Sequence, residues 1–155
     1  MRRWCAFWIL AVAMIVSACS RTVEARTRRE QEMYFRNIFD FDAPSAIAEI
    51  KYMDVYQRNL MDSVYAQWMR CSYNEEVFQR LLKERGYVPR RSNVFYLDLG
   101  GPVMPKWWPD VDESKLAIFV RESDRATNPD QTSFREFLWH DEKTNHMYFH
   151  RRYGD

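Results

Sequence analysis

Beyond residue 70 the chain changes from strand-like alternation to helical spacing, and that change divides its pattern. In Met61–Cys71, Val64, Ala66 and Trp68 alternate with Tyr65, Gln67 and Met69, the period of a strand with two distinct faces. Ile50–Tyr56 has similar aromatic and branched content, and Gln57-Arg58-Asn59 lies between the two runs as a polar turn. The pair predicts a β-hairpin, with a helix over 59–69 as the alternative. In Ser72–Tyr87 the spacing becomes helical, with Val77, Phe78, Leu81 and Leu82 on one face. Ser72 and Glu75 have the spacing of a capping box, and Glu75 and Glu76 place negative charge in the first turn. Lys83 and Arg85 fill the last turn, Gly86 suits a left-handed terminus and Pro89 prevents continuation. This predicts one main helix over about 72–85.

Val94–Leu99 reads as a strand ended by Gly100-Gly101-Pro102, and Leu116–Val120 as a short central strand. Between them a proline-rich loop carries Trp107 and Trp108, and Ser123–Gln131 is a second, polar loop. Phe134–Asp141 and His146–Arg151 flank Glu142-Lys143-Thr144-Asn145, a second hairpin with Asn145 able to take the left-handed position. Near the start of the folded part, Met33, Tyr34, Ile38 and Phe41 predict a short helix or a docked arm within 30–41, followed by a break at Pro44. The order of elements implies a single α+β domain over 32–155, an antiparallel sheet with the main helix packed on one face.

The first twenty residues follow different rules. Arg2 and Arg3 precede an uncharged run from Trp4 to Val16, short for a bilayer span and the right length for the apolar region of a secretory signal. Val16-Ser17-Ala18-Cys19 resembles the lipobox of bacterial lipoproteins. The resemblance implies a signal peptide over 1–18, cleavage before Cys19, and acyl chains on the sulfur and new amino group of Cys19. With Ser20 rather than aspartate after the cysteine, it further implies the outer membrane, facing the periplasm, in a diderm cell. Residues 19–31 then read as a lipidated cysteine and a polar tether, whose arginines lie in solvent or against anionic head groups. The rest of the chain resembles the small uncharacterised domains found behind such signals, a likeness that carries no activity and no site residues.

Composition narrows the partners. Of 23 basic residues Arg2 and Arg3 leave with 1–18, so 21 face 22 acidic residues, a net charge of −1. Such balance lacks the basic surplus of a nucleic-acid binder. With 16% aromatic residues and four glycines, the chain is suited to a packed core and not to a disordered tether. Cys5 lies in the signal and Cys19 carries lipid, which leaves Cys71 without an intramolecular disulfide partner.

Candidate chemistry is sparse. His146 and His150, four apart on one strand, sit roughly 13 Å from each other, too far to share a zinc ion. If the four-residue turn holds, His140 pairs with Met147 and points to the other face. Asp110–Ser114 imitates a calcium loop, but Lys115 and Arg121 occupy the places of the required glycine and glutamate. Cys71, at a strand-to-helix junction, is a small buried thiol more readily than a nucleophile. No metal, cofactor or catalytic residue is assigned. Trp107 and Trp108 are the candidate contact residues: their faces suit a sugar ring or a protein partner, unless they fold back to close the core. Because adjacent residues rarely bury in the same direction, one is expected in and one out. The sequence therefore predicts a membrane-anchored, non-enzymatic envelope module that binds an envelope protein or glycan. The alternative is an envelope hydrolase or transferase, which a pocket gathering Cys71, His140, His146 or His150 with an acid would favour.

Overall fold

The computed structural model describes residues 20–58, 63–90, 104–109, 116–123 and 133–153. Among these residues seven strands and two helices follow the order β1 (Ser20–Glu24), α1 (Arg28–Phe39), β2 (Lys51–Arg58), β3 (Ser63–Ser72), α2 (Glu75–Arg85), β4 (Val88–Pro89), β5 (Ile118–Ser123), β6 (Phe134–Asp141) and β7 (His146–Tyr153). All the strands join one antiparallel sheet in the order β1-β2-β3-β7-β6-β5-β4. The fold is thus α+β with an antiparallel sheet, as the pattern predicts. After α2 the chain resumes at the far edge, and β5, β6 and β7 step back until β7 lies beside β3.

Both hairpins form. β6 and β7 pair with His140 opposite Met147, and Asn145 takes φ 53° at the turn. In the first hairpin the ladder runs further than the polar residues suggest. Gln57 and Arg58, expected in the turn, pair with Val64 and Ser63, because backbone pairing is indifferent to whether a side chain is polar.

The segment read as a polar tether is ordered. Ser20–Glu24 pairs with β2 as the edge strand β1, and α1 starts at Arg28. Its capping box is complete: Thr27 accepts from the Glu30 N–H while the Glu30 carboxylate accepts from the Thr27 and Arg26 N–H groups at 3.0 and 2.8 Å. Asp40 closes the helix in the left-handed conformation. So the short helix expected within 30–41 is a helix of 12 residues.

The cap of α2 is a correction. Ser72 stays in β3, paired with His146, and its hydroxyl accepts from the Ala48 N–H at 2.7 Å. Asn74 caps the helix instead, its Oδ1 accepting from the Val77 N–H at 3.0 Å. The far end is as expected, with Gly86 at φ 70°.

Strand alternation sends neighbouring residues to two separate cores. On one side Tyr52, Met69, Cys71, Leu138, Met147 and Phe149 cluster with Phe35, Ile38 and Phe39 of α1 and Val77, Phe78 and Leu81 of α2. Two helices, not one main helix, therefore share this core. On the other side Met53, Val55, Trp68, Phe137, Trp139 and Tyr148 cluster with Trp108. β5, expected as a central strand, lies between β6 and β4, and among the described residues β4 contributes two residues to its outer side. The predicted strand 94–99, the calcium-like segment 110–114 and the signal segment with Cys19 lie outside the described residues.

Candidate binding groove

On the helix-bearing face the cross-strand register sorts residues into rows. Tyr52, Met69, Phe149 and Leu138 form an apolar row. One step nearer the Ser20 end, Asp54, Gln67, Arg151, Glu136 and Arg121 stand side by side on five successive strands, β2, β3, β7, β6 and β5. One step further lie Tyr56, Tyr65, Tyr153 and Phe134. The face thus changes from apolar core to a polar row to an aromatic rim.

The polar row is a continuous hydrogen-bonded chain. Tyr52 and Tyr65 donate their hydroxyls to Asp54 Oδ2 at 3.2 and 3.1 Å, and Gln67 Nε2 donates to both phenol oxygens at 2.9 Å. Arg151 donates to Gln67 Oε1 at 3.2 Å, to the Tyr153 hydroxyl at 3.0 Å, and from Nε to Glu136 Oε1 at 2.6 Å. Glu136 is wholly buried and also accepts from the Tyr87 hydroxyl at 2.8 Å and Arg121 at 3.2 Å. A buried carboxylate is tolerable only with such compensation. Burial pushes the Tyr52 and Tyr65 hydroxyls above the usual phenol range, and the Asp54 carboxylate adds to the shift. Both phenols therefore remain protonated donors at neutral pH.

Beside Tyr34 of α1 this face carries a groove of about 400 Å³, lined by Arg21, Val23, Tyr34, Asp54, Tyr56 and Tyr65. Arg21 pairs with Tyr56 and Val23 with Asp54 in the β1–β2 ladder, which sets the two charged residues on one face and one step apart. Tyr34 of α1 is stacked on Tyr52 with ring centres 4.1 Å apart, and Tyr65 is stacked on Tyr153 at 5.3 Å. Tyr56 is 41% exposed. The result is a groove with tyrosine walls, one carboxylate and one guanidinium.

The residues singled out from the sequence lie elsewhere. Trp108 is 8% exposed and meets Trp139, Tyr148 and His150 edge to face, so it closes the second core. Trp107 packs against the same cluster but is only partly buried, so it alone of the pair keeps surface for a contact. Cys71 is fully buried in the helix-side core, which raises its thiol to about 12. The three histidines are not brought together. His140 stacks on Tyr73, His146 meets the Glu49 carboxylate at 2.9 Å, and His150 is buried on the second face with Nδ1 on the Gln67 carbonyl at 3.0 Å. Among the described residues no group of three or more His, Cys, Asp or Glu side chains is placed to hold a metal ion.

Sequence reasoning missed the groove, although Tyr52, Asp54 and Tyr56 already alternate on one face of a predicted strand. An acid between two tyrosines at that spacing was the available signal. Arg21 and Tyr34 had none, because their part depends on the pairing of β1 and the packing of α1. Comparison with protein families, curated proteins and solved structures finds nothing that matches this chain.

Proposed function

We propose that this chain is a bacterial envelope lipoprotein, cleaved before Cys19 and held by acyl chains on that residue, whose domain is a non-enzymatic binding module. In a diderm cell it would sit on the outer membrane, facing the periplasm. The observation that carries the reading is the pairing of Ser20–Glu24 with β2, which joins the residues just after the lipobox cysteine directly to the sheet. A lipid on Cys19 would then hold the sheet itself close to the bilayer, without a tether between them.

Two features support a binding role for the domain. The tyrosine-walled groove offers aromatic faces and unlike charges at the surface, the composition of a recognition site. Of the residues whose gathering in one pocket would favour the enzyme alternative, Cys71 and His140 lie on the helix side of the sheet and His146 and His150 on the other. Trp107 remains a second candidate contact, on the opposite face from the groove.

Replacement of the anchor residue tests the reading. In Cys19→Ser cells, acyl labelling disappears, and the protein is either released in soluble form or accumulates as uncleaved precursor. A Cys19→Ser protein that is processed and membrane-bound like the parent would contradict the proposal.

A further inference from the structure

We infer that the groove between β1, β2, β3 and α1 binds the zwitterionic phosphoethanolamine head group of a membrane lipid, with Arg21 on the phosphate and Asp54 with the tyrosine faces on the ammonium. The inference rests on the anchor at Cys19 only for bringing the groove to the bilayer.

The charges come first. Arg21 is exposed and Asp54 half-buried, and neither makes an ion pair among the described residues. Elsewhere on this face the charges are matched internally, Glu136 with Arg151 and Arg121. The groove thus holds one positive and one negative group, each open to a ligand charge. A guanidinium suits phosphate because its planar donors engage two oxygens at once. A carboxylate beside tyrosine faces suits an alkylammonium, which gains from both the charge and the ring quadrupoles.

Hydrogen bonding separates this ligand from a neutral sugar. A sugar site needs free polar edges for hydroxyl groups. Here the Tyr65 hydroxyl is taken up by Asp54 Oδ2 and Gln67, as is that of Tyr52 behind it, and Gln67 Oε1 is taken by Arg151. Besides the hydroxyls of Tyr34 and Tyr56, what the groove offers is charge and aromatic surface, the complement of a small zwitterion.

Position supplies the last part. Arg21 is two residues from Cys19, and an extended strand advances about 3.3 Å per residue, so its backbone would lie within about 7 Å of an acylated residue. The aromatic rim of Tyr56, Tyr65, Tyr153 and Phe134 is at the same end of the sheet. Tyrosines at that depth suit the interfacial layer of a membrane.

The test uses the protein as purified from cells, acylated or not, in lipid-free detergent micelles, titrated with glycerophosphoethanolamine and followed by the tyrosine ring NMR signals. The expected result is saturable binding that shifts Tyr34, Tyr56 and Tyr65. Glycerophosphoglycerol, which lacks the amine, should bind at least roughly tenfold more weakly, and Asp54→Asn or Arg21→Gln should each weaken the parent titrant by a similar factor. Asp54→Asn keeps an oxygen that accepts from Tyr52 and Tyr65, and Tyr56→Ala, at an exposed site, provides a second variant with an unaltered core. In vesicles containing phosphatidylethanolamine the soluble titrant should find the groove occupied, whereas in phosphatidylglycerol vesicles it should still bind. Equal binding of both titrants, saturable binding of a neutral oligosaccharide in their place, or equal titration in both vesicles would each overturn the assignment. Failure of the anchor would appear separately, as missing acylation, because the micelle titration needs no lipid on Cys19.

Discussion

Trp108 and His150 show how much one buried side chain decides on the second face of the sheet. Trp108 fills the space over Trp139 and Tyr148, so Trp108→Ala leaves a cavity that should cost about 3–5 kcal/mol in denaturant unfolding. Trp107→Ala, at a partly buried site, should cost clearly less. Equal losses would place both indoles in the core. Burial holds the His150 imidazole down to about 4, against 6.5 in the open chain, despite its hydrogen bond to the Gln67 carbonyl. Because the unfolded chain takes up the proton first, His150 favours the fold fully above pH 6.5, and that contribution is lost as pH falls toward 4. The loss is on the order of 3 kcal/mol. Unfolding of His150→Phe should show a flatter dependence over that window, and an unchanged slope would mean the imidazole titrates freely. Glu136 is the converse case, a buried carboxylate compensated by arginines. Glu136→Gln should cost about 3–5 kcal/mol, since it leaves Arg151 without its counter-charge.

Elements were legible where the signal is local. The β6–β7 hairpin could be read, to the pairing of His140 with Met147, because a four-residue turn ending in Asn145 sets the register by itself. α2 was legible through the face of Val77, Phe78 and Leu81 and the glycine at its end. Leu81→Ala should cost about 2–5 kcal/mol, and Gly86→Ala about 1 kcal/mol from the left-handed backbone alone, since a methyl there meets nothing within 4 Å. A loss below about 0.5 kcal/mol for Leu81→Ala would remove α2 from the core. The N-cap was misplaced because Ser72 has a strand partner three residues before the helix, and local spacing carries no trace of it. β1 was missed for a related reason. Four of its five residues are polar, as befits an edge strand, and only pairing with β2 makes it a strand.

At the scale of the whole molecule, the sheet is covered on both sides, and this explains why Trp108 turns inward. A strand pattern rich in aromatics on alternate faces demands cover twice, by the two helices on one side and by Trp108 and its neighbours on the other. Apart from the alternation of Asp54 and Tyr56, the candidate groove had no linear signature, because it depends on the register of β1, β2 and β3 and on the packing of Tyr34 of α1 over Tyr52. The same register places the groove at the end of the sheet where β1 begins. In the proposed function anchor and groove are tied together through one residue, Cys19. The most direct measurement is the intact mass and N-terminal peptide of the mature protein extracted from membranes. A chain that starts at Cys19 and carries a diacylglyceryl group, with or without a third acyl chain on its amine, is the predicted result. A mature protein with an unmodified Cys19, or with its N-terminus at another position, would contradict it.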